Sequence, residues 1–210
     1  MIQAAIAYVR ELFEGESSGH DFDHTMRVYR LANHIAQQEG SDVYVVGLAA
    51  LLHDVDDRKL SPETWKNLDR TRAFLKSHGA EPELTERVCG IIGQVSFKGT
   101  DSRKPDSPEG CCVQDADRLD AMGAVGIARA FAFGGSRGRK MYDPDVLPNR
   151  NMDAVAYAAN EGTTVNHFYE KLLLLEGMMN TGTGKRLAQQ RHRFMEQYLE
   201  QFFGEWNGEI

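Results

Sequence analysis

Four side chains that can bind a metal ion lie far apart in this sequence, and only a fold can bring them together. They are His24, the adjacent pair His53-Asp54, and Asp117. Imidazole and carboxylate together suit divalent ions such as manganese, iron, cobalt, nickel or zinc. Four protein ligands on a six-coordinate ion leave positions for water and substrate. Such an ion can activate water and offset charge on phosphoryl oxygens, which is chemistry that permits hydrolysis of a phosphate ester or anhydride.

Helices must position these side chains, since apolar residues recur with helical spacing and period-two alternation is almost absent. The sequence therefore predicts an all-α fold. A helix from about His20 to Glu39 carries His24 near its start, and the nearly continuous apolar run VYVVGLAALL predicts a buried helix that ends at His53-Asp54. Adjacent residues inside a helix diverge by about 100°. A consecutive His-Asp pair can therefore share one ion most easily at a helix end.

Capping and breaking signals predict about seven to nine helices in one domain that spans residues 1–210. Ser61-Pro62 and Glu81-Pro82 are helix-start signals, and a helical stretch from Cys111 to Phe133 contains Asp117. We expect a metal-site core at about residues 18–131. C-terminal helices at about residues 151–204 are expected to pack on this core, and they include stretches at roughly 164–178 and 183–203.

Composition excludes several classes of protein. The chain has 41% apolar residues, which is enough for a full core, and its net charge of -7 argues against sequence-independent nucleic-acid binding. Three cysteines without C-x-x-C spacing predict reduced thiols rather than disulfides or a structural zinc site. The absence of a long uninterrupted apolar run argues against an export signal or a membrane span, and a cytoplasmic protein is expected.

Three segments, GHDFDHTMRVYRLA, LLHDVDD and QDADRLDAMGAVGIARAFAFGG, occur in the order of the H…HD…D signature. They resemble the HD-domain superfamily of metal-dependent phosphohydrolases. The segments TTVNHFYEKLLLL and RHRFMEQYLEQF resemble the C-terminal helices of a bacterial branch called YpgQ-like or YedJ-like. The resemblance covers nearly the whole chain and implies a helical bundle in which the metal ligands are His24, His53, Asp54 and Asp117.

The number of metal ions follows from the histidines between the HD pair and the last aspartate. Members of the superfamily with two metals have further histidines there, and this interval contains only His78. One divalent ion is therefore expected. Manganese, nickel, cobalt and iron are favoured, with magnesium and zinc as alternatives.

An acidic residue close to the metal is expected to orient the attacking water or take its proton. Asp57 is the candidate, because several HD hydrolases have an acidic residue three positions after the HD pair, although Glu is commoner there. Asp56 is the competitor. Alternatively, the DVDDRK segment is a solvated acidic turn.

Other residues are candidates by spacing. His20 and Arg27 lie within one turn of His24, and Asp120 lies one turn after Asp117, where it accepts a proton from a ligand imidazole or pairs with a cation. Three further residues are candidates for binding the phosphate chain: Lys98, His167 and Lys171. A basic loop, Arg137–Lys140, is another candidate. Three aromatic rings either stack on a base or pack in the core: Phe97, Tyr142 and Tyr169.

The resemblance to the branch implies a nucleoside or deoxynucleoside triphosphate as substrate, cleaved to monophosphate and pyrophosphate. Alternatives among enzymes are a nucleotide phosphomonoesterase and a hydrolase of alarmone guanosine polyphosphates. The alarmone hydrolases have HD-x-x-ED where this chain has HDVDDR, so the second acid is missing. An alternative of another class is a catalytically silent HD module that binds a nucleotide or a partner protein. A homodimer is left open.

Overall fold

The computed structural model describes residues 1–15, 21–57, 61–97 and 101–210. These residues form ten α-helices and one 3-10 helix, and no strand occurs among them. The prediction of an all-α fold is confirmed, with slightly more helices than expected. In chain order the helices are α1 (Ile2–Leu12), α2 (Phe22–Glu39), α3 (Val43–Leu52), α4 (Asp69–Ser77), α5 (Pro82–Val95), α6 (Pro108–Asp120), α7 (Gly123–Ser136), α8 (Ala154–Ala158), α9 (Thr164–Glu170), the 3-10 helix (Leu172–Met178) and α10 (Gly182–Asn207).

The chain divides into two compact units. The first unit comprises Met1–Phe97 and Arg103–Asp117, and the second comprises Lys98–Ser102 and Arg118–Ile210. The boundary falls inside α6, earlier than the predicted end of the metal-site core near residue 131. The single-domain organisation stays a prediction.

Helix α3 is the centre of the first unit. Asp42 caps it, because its carboxylate accepts hydrogen bonds from the amides of Tyr44 and Val45 at 3.1 and 3.2 Å. Every residue from Val45 to Leu52 is buried, as expected for a helix that is apolar on all sides. The helices α1, α2 and α5 pack against α3. The residues that follow α3 are therefore held at the end of a rigid element.

In the second unit, α10 packs against α7 and the 3-10 helix, and α9 packs against the same two elements. Phe131 is central to an aromatic cluster, with ring centroids 6.1 Å from Phe168 and 6.0 Å from Tyr198. Tyr142 packs edge-on against Phe203 and Trp206 at 5.2 and 5.4 Å. Of the two roles left open for Tyr142, the structure therefore shows packing.

Two helix boundaries differ from the expected ones. Ser61-Pro62 does not start an α-helix, because the Ser61 hydroxyl donates to the carbonyl of Val55 instead of capping, and α4 begins only at Asp69. The predicted stretch from Cys111 to Phe133 is two helices. It breaks before Gly123, which has a φ of 70° that glycine adopts without strain.

No helix in the part of the chain that the structure describes is both long enough and apolar enough to cross a membrane.

Candidate metal centre

His24 enters the site from the first turn of α2. Asp21 caps this helix, because its Oδ1 accepts a hydrogen bond from the amide of His24 at 2.7 Å. The imidazole of His24 is almost fully buried, with 1% of its surface exposed. The cap therefore fixes the backbone of the residue that presents the imidazole.

The adjacent pair lies at the end of α3, where the helix gives way to turns at residues 53–56. His53 Nδ1 lies 2.8 Å from the carbonyl oxygen of Ala50. A carbonyl only accepts, so Nδ1 carries the hydrogen, and in the neutral imidazole the lone pair is on Nε2. Such a bond from the second ring nitrogen is common in metal-binding histidines.

Two imidazole nitrogens and two carboxylates converge within the first unit. His24 Nε2 and His53 Nε2 are 3.3 Å apart. Asp54 Oδ2 lies 3.4 Å from His24 Nε2 and 3.3 Å from His53 Nε2. Asp117 Oδ1, on α6, lies 3.5 and 3.9 Å from the same two nitrogens. We call these four residues the His/Asp cluster.

These separations fit a single ion. Bonds of about 2.0–2.2 Å from a divalent ion to nitrogen or oxygen put neighbouring donor atoms roughly 3–3.5 Å apart. Two imidazole nitrogens that face each other at 3.3 Å need a proton or a cation between them. Among the described residues, His24, His53 and Asp117 also form the group whose donor atoms are close enough to hold an ion.

The electrostatics of the cluster favour positive charge. Burial alone would lower the pKa of the His53 imidazole, but the carboxylates of Asp54 and Asp117 outweigh burial and raise this pKa to about 9. The same carboxylates would stabilise a divalent cation.

His78 is the histidine that lies between the HD pair and Asp117, and it has a different environment. Its ring packs on Phe74, with centroids 4.3 Å apart, and Nδ1 lies 2.9 Å from the carbonyl oxygen of Phe74. His78 therefore packs against Phe74 at the end of α4.

The two candidates for the assisting carboxylate are in contrasting positions. Asp56 is buried and accepts hydrogen bonds from the amide and hydroxyl of Thr71 at 2.9 and 2.8 Å and from the amide of Arg70 at 3.2 Å. Asp57 is partly exposed, and its amide donates to the carbonyl of Asp54 at 3.0 Å. Asp56 is buried against α4, and Asp57, which is partly exposed, is the better candidate for contact with water.

Of the residues predicted to contact substrate, Arg27 lies on α2, one turn after His24, and is partly exposed. His20 and Lys98 lie outside the described residues.

His167 and Lys171 are in the second unit, and both lie beside Tyr157. The His167 ring stacks on Tyr157 with centroids 6.3 Å apart, and Lys171 Nζ is 5.6 Å from the centroid of the same ring. Burial, followed by the charges of Lys171 and Arg139, lowers the pKa of His167 to about 3. At neutral pH His167 can therefore offer a phosphate a hydrogen bond but no charge.

Asp120 is buried, and its Oδ2 accepts a hydrogen bond from Arg129 Nη1 at 2.6 Å. The sequence left open whether this carboxylate supports an imidazole or pairs with a cation, and the structure shows pairing with Arg129. The imidazole of His53 has the Ala50 carbonyl as its support. A role of Asp120 toward the other ligands stays a prediction.

Comparison with known proteins identifies the class. The HD domain family matches residues 21–122, a range that contains all four residues of the His/Asp cluster. The chain belongs to this HD-domain family of metal-dependent phosphohydrolases. The protein YpgQ of Bacillus subtilis (strain 168) is 41% identical over 196 residues, which cover 92% of this chain and 88% of YpgQ.

Solved structures agree. An HD-superfamily hydrolase from Bacillus thuringiensis is 41% identical, with a TM-score of 0.78 over 98% of this chain and 96% of that chain. The structure of Bacillus subtilis YpgQ in complex with ADP is 39% identical, with a TM-score of 0.78 over 98% of this chain and 97% of that chain. The resemblance to HD-domain phosphohydrolases and to the YpgQ-like branch is thereby confirmed.

Proposed function

We propose that the chain is a nucleotide pyrophosphohydrolase that cleaves a nucleoside or deoxynucleoside triphosphate to the monophosphate and pyrophosphate. The observation that carries the proposal is the His/Asp cluster, in which two imidazole nitrogens 3.3 Å apart lie against two carboxylates. The nucleotide is suggested by the similarity to YpgQ, one structure of which is a complex with ADP.

In this proposal one divalent ion binds to His24, His53, Asp54 and Asp117. Manganese, nickel, cobalt and iron are favoured by the mixed nitrogen and oxygen donors, with magnesium and zinc as alternatives. When bound, such an ion lowers the pKa of water and offsets charge on the phosphoryl oxygens. The Ala50 carbonyl holds the His53 ring in the tautomer that directs Nε2 at the cluster.

Asp57 is proposed to orient the attacking water and to accept its proton. Its backbone is bonded to that of Asp54, so the carboxylate starts one turn beyond a ligand. General-base assistance of this kind is typically worth about 10²–10⁴-fold in rate. The competing assignment to Asp56 is disfavoured, because that carboxylate already accepts three hydrogen bonds from α4.

Binding of the phosphate chain is proposed for Arg27, and His20, Lys98, His167 and Lys171 remain candidates from the sequence alone. Arg27 follows His24 by one turn of α2, and a guanidinium suits bidentate contact with phosphate oxygens. Since His167 is neutral near pH 7, positive charge from its helix region has to come from Lys171.

A panel of nucleoside and deoxynucleoside mono-, di- and triphosphates and guanosine polyphosphates, each with manganese, nickel, cobalt, iron, magnesium or zinc, tests the proposal. We expect pyrophosphate to be released from a triphosphate, and the variant His53→Ala to lose more than about 100-fold in rate. Loss of a support behind a metal ligand already costs 10–100-fold. Asp57→Asn should reduce the rate by about 10²-fold or more, as loss of a general base does.

The products distinguish the alternatives. Release of orthophosphate from a monophosphate indicates a phosphomonoesterase, and consumption of guanosine polyphosphates alone indicates an alarmone hydrolase. A chain that binds nucleotide, consumes none with any metal and is unaffected by His53→Ala is a silent HD module, and the proposal is then wrong.

A further inference from the structure

The turn that follows α3 is attached to α4 by side chains that the metal site does not use. This HD turn, residues 53–57, begins with His53 and Asp54 and ends with Asp57. Asp56 lies between Asp54 and Asp57. Its side chain points into the protein, and the residue is only 3% exposed.

Helix α4 has no cap of its own. Its N-cap residue is Leu68, which has no side-chain hydrogen bond to the first turn. Leu68 also has a φ of 55°, a backbone conformation that costs a non-glycine residue about 1–2 kcal/mol. Such a conformation persists only where the surrounding structure fixes it.

Asp56 supplies the missing cap from another segment of the chain. Its Oδ1 accepts from the amide of Arg70 at 3.2 Å, and its Oδ2 accepts from the amide and hydroxyl of Thr71 at 2.9 and 2.8 Å. Both amides belong to the first turn of α4, where backbone donors have no partner within the helix. One buried carboxylate therefore satisfies three donors and ties the HD turn to α4.

Two bonds from Ser61 attach the same turn to the chain beyond it. The buried hydroxyl of Ser61 donates to the carbonyl of Val55 at 3.1 Å, and the amide of Ser61 donates to the carbonyl of Asp57 at 2.7 Å. Together with the bonds of Asp56, these two bonds hold three consecutive residues of the turn, which are Val55, Asp56 and Asp57.

We propose that Asp56 is a positioning residue that fixes the HD turn through its three hydrogen bonds to α4, and so holds His53, Asp54 and Asp57 in place for the metal and the attacking water. The inference rests on the proposed function of those three residues. Asparagine at position 56 has nearly the same shape, but one of its two terminal atoms is a donor that would face the donors of α4.

The variant Asp56→Asn, compared with wild type and Val88→Ala, tests this inference. Val88 is a fully buried residue of α5, the helix that packs against both α3 and α4, and it lies outside the HD turn. We expect Asp56→Asn to weaken manganese or cobalt binding, measured by calorimetry on the folded protein, about tenfold. This is the lower end of what supports behind metal ligands are worth. Val88→Ala should lower thermal stability without a change in metal affinity.

Amide hydrogen exchange of the metal-free protein gives a readout without metal or activity. The amide of Val55 donates to the carbonyl of Leu52 at the end of α3, and the amide of Asp57 donates to the carbonyl of Asp54. Asp56→Asn should therefore speed the exchange of both amides about tenfold relative to amides in the middle of α2, and Val88→Ala should not. Thr71→Val removes one of the three bonds and should have a smaller effect in the same direction.

Asp56 has only a structural role if Asp56→Asn lowers stability while metal affinity and exchange of the turn stay as in wild type. The inference also fails if Val88→Ala weakens metal binding as much as Asp56→Asn does. If wild type binds no metal at all, the proposed function fails, and the exchange measurement alone decides the role of Asp56.

Discussion

Buried carboxylates occur in both units of the molecule, and their partners differ. In the first unit, Asp54 lies 3.3 Å from His53 Nε2 and 3.4 Å from His24 Nε2, and those two nitrogens face each other. In the second unit, Asp120 accepts a hydrogen bond from Arg129, and Glu170 accepts one from the side chain of Asn160 at 2.6 Å. The first arrangement gathers donor atoms for a cation. The second pairs polar groups with partners inside the protein.

This difference separates buried polar groups that satisfy one another from buried groups whose arrangement suits a cation. Polar groups that satisfy one another stabilise a particular packing. Two imidazole nitrogens that face each other, as in the His/Asp cluster, raise the free energy of the metal-free protein unless a proton or a cation lies between them. We therefore expect metal to act on the stability of the protein through the His/Asp cluster and substitutions in the second unit to act on stability alone.

The largest effect is expected from the metal itself. Addition of manganese or cobalt at 100 times its Kd should raise the free energy of unfolding of wild type by about 2.7 kcal/mol, because the ion binds only the folded state. His53→Ala should lose this increase. Urea unfolding with and without metal measures it.

His192→Ala is the matched control in the second unit. The ring nitrogens of His192 lie 3.4 Å from Glu176 and 3.3 Å from Glu196, so this histidine also has two carboxylate neighbours. Its substitution should leave the increase caused by metal unchanged. A loss of the increase in His192→Ala as large as in His53→Ala would contradict the contrast between the two units.

An intermediate effect is expected for Asp120→Asn. The substitution leaves Arg129 facing a neutral amide, and breaking a buried ion pair costs 3–5 kcal/mol. The Arg129 side chain is 26% exposed, which allows water to replace part of the interaction, so a loss of about 2 kcal/mol is expected. Urea unfolding of the metal-free protein measures it, and we expect the metal Kd to stay within about a factor of two.

Asp143→Asn serves as the control, since Asp143 pairs with the exposed Lys140 at 2.7 Å and its substitution should leave stability unchanged. A metal Kd about tenfold weaker in Asp120→Asn would show that this carboxylate supports a metal ligand, as the sequence suggested. Asp120 would then belong with the carboxylates of the metal site and not with those that only stabilise the fold.

Much of the first unit could be predicted because its signals are local. The apolar run VYVVGLAALL lies within the buried helix that it predicts, and the His53-Asp54 pair follows this run directly. The spacing of the H…HD…D signature also identified the four residues that the structure brings together.

The role of Asp56 could not be predicted, because its partner Thr71 lies 15 residues away and no local pattern joins the two. The helix cap that the sequence predicts at Ser61 is wrong, because its hydroxyl donates to the carbonyl of Val55, which precedes it in the chain. In the second unit, the helix after Thr164 changes to a 3-10 helix at Leu172, and helical spacing of apolar residues does not distinguish these two helix types.

The smallest effect is expected from two helix caps, one in each unit. Asp21 accepts a hydrogen bond from the amide of His24 at 2.7 Å, and Thr163 accepts one from the amide of Asn166 at 3.1 Å. Asp21→Ala and Thr163→Ala should each lower the free energy of unfolding by about 1 kcal/mol, measured by urea unfolding of the metal-free protein. The two variants should differ in metal affinity.

The difference is expected because fraying of α2 would displace His24, a proposed metal ligand, whereas fraying of α9 affects only the second unit. Calorimetry should show a metal Kd that is weaker in Asp21→Ala by at most about fivefold, the factor that corresponds to 1 kcal/mol. The Kd of Thr163→Ala should equal that of wild type. Equal Kd values in both variants would show that the cap of α2 does not control His24, and the first turn of that helix would then be held by its packing against α3 alone.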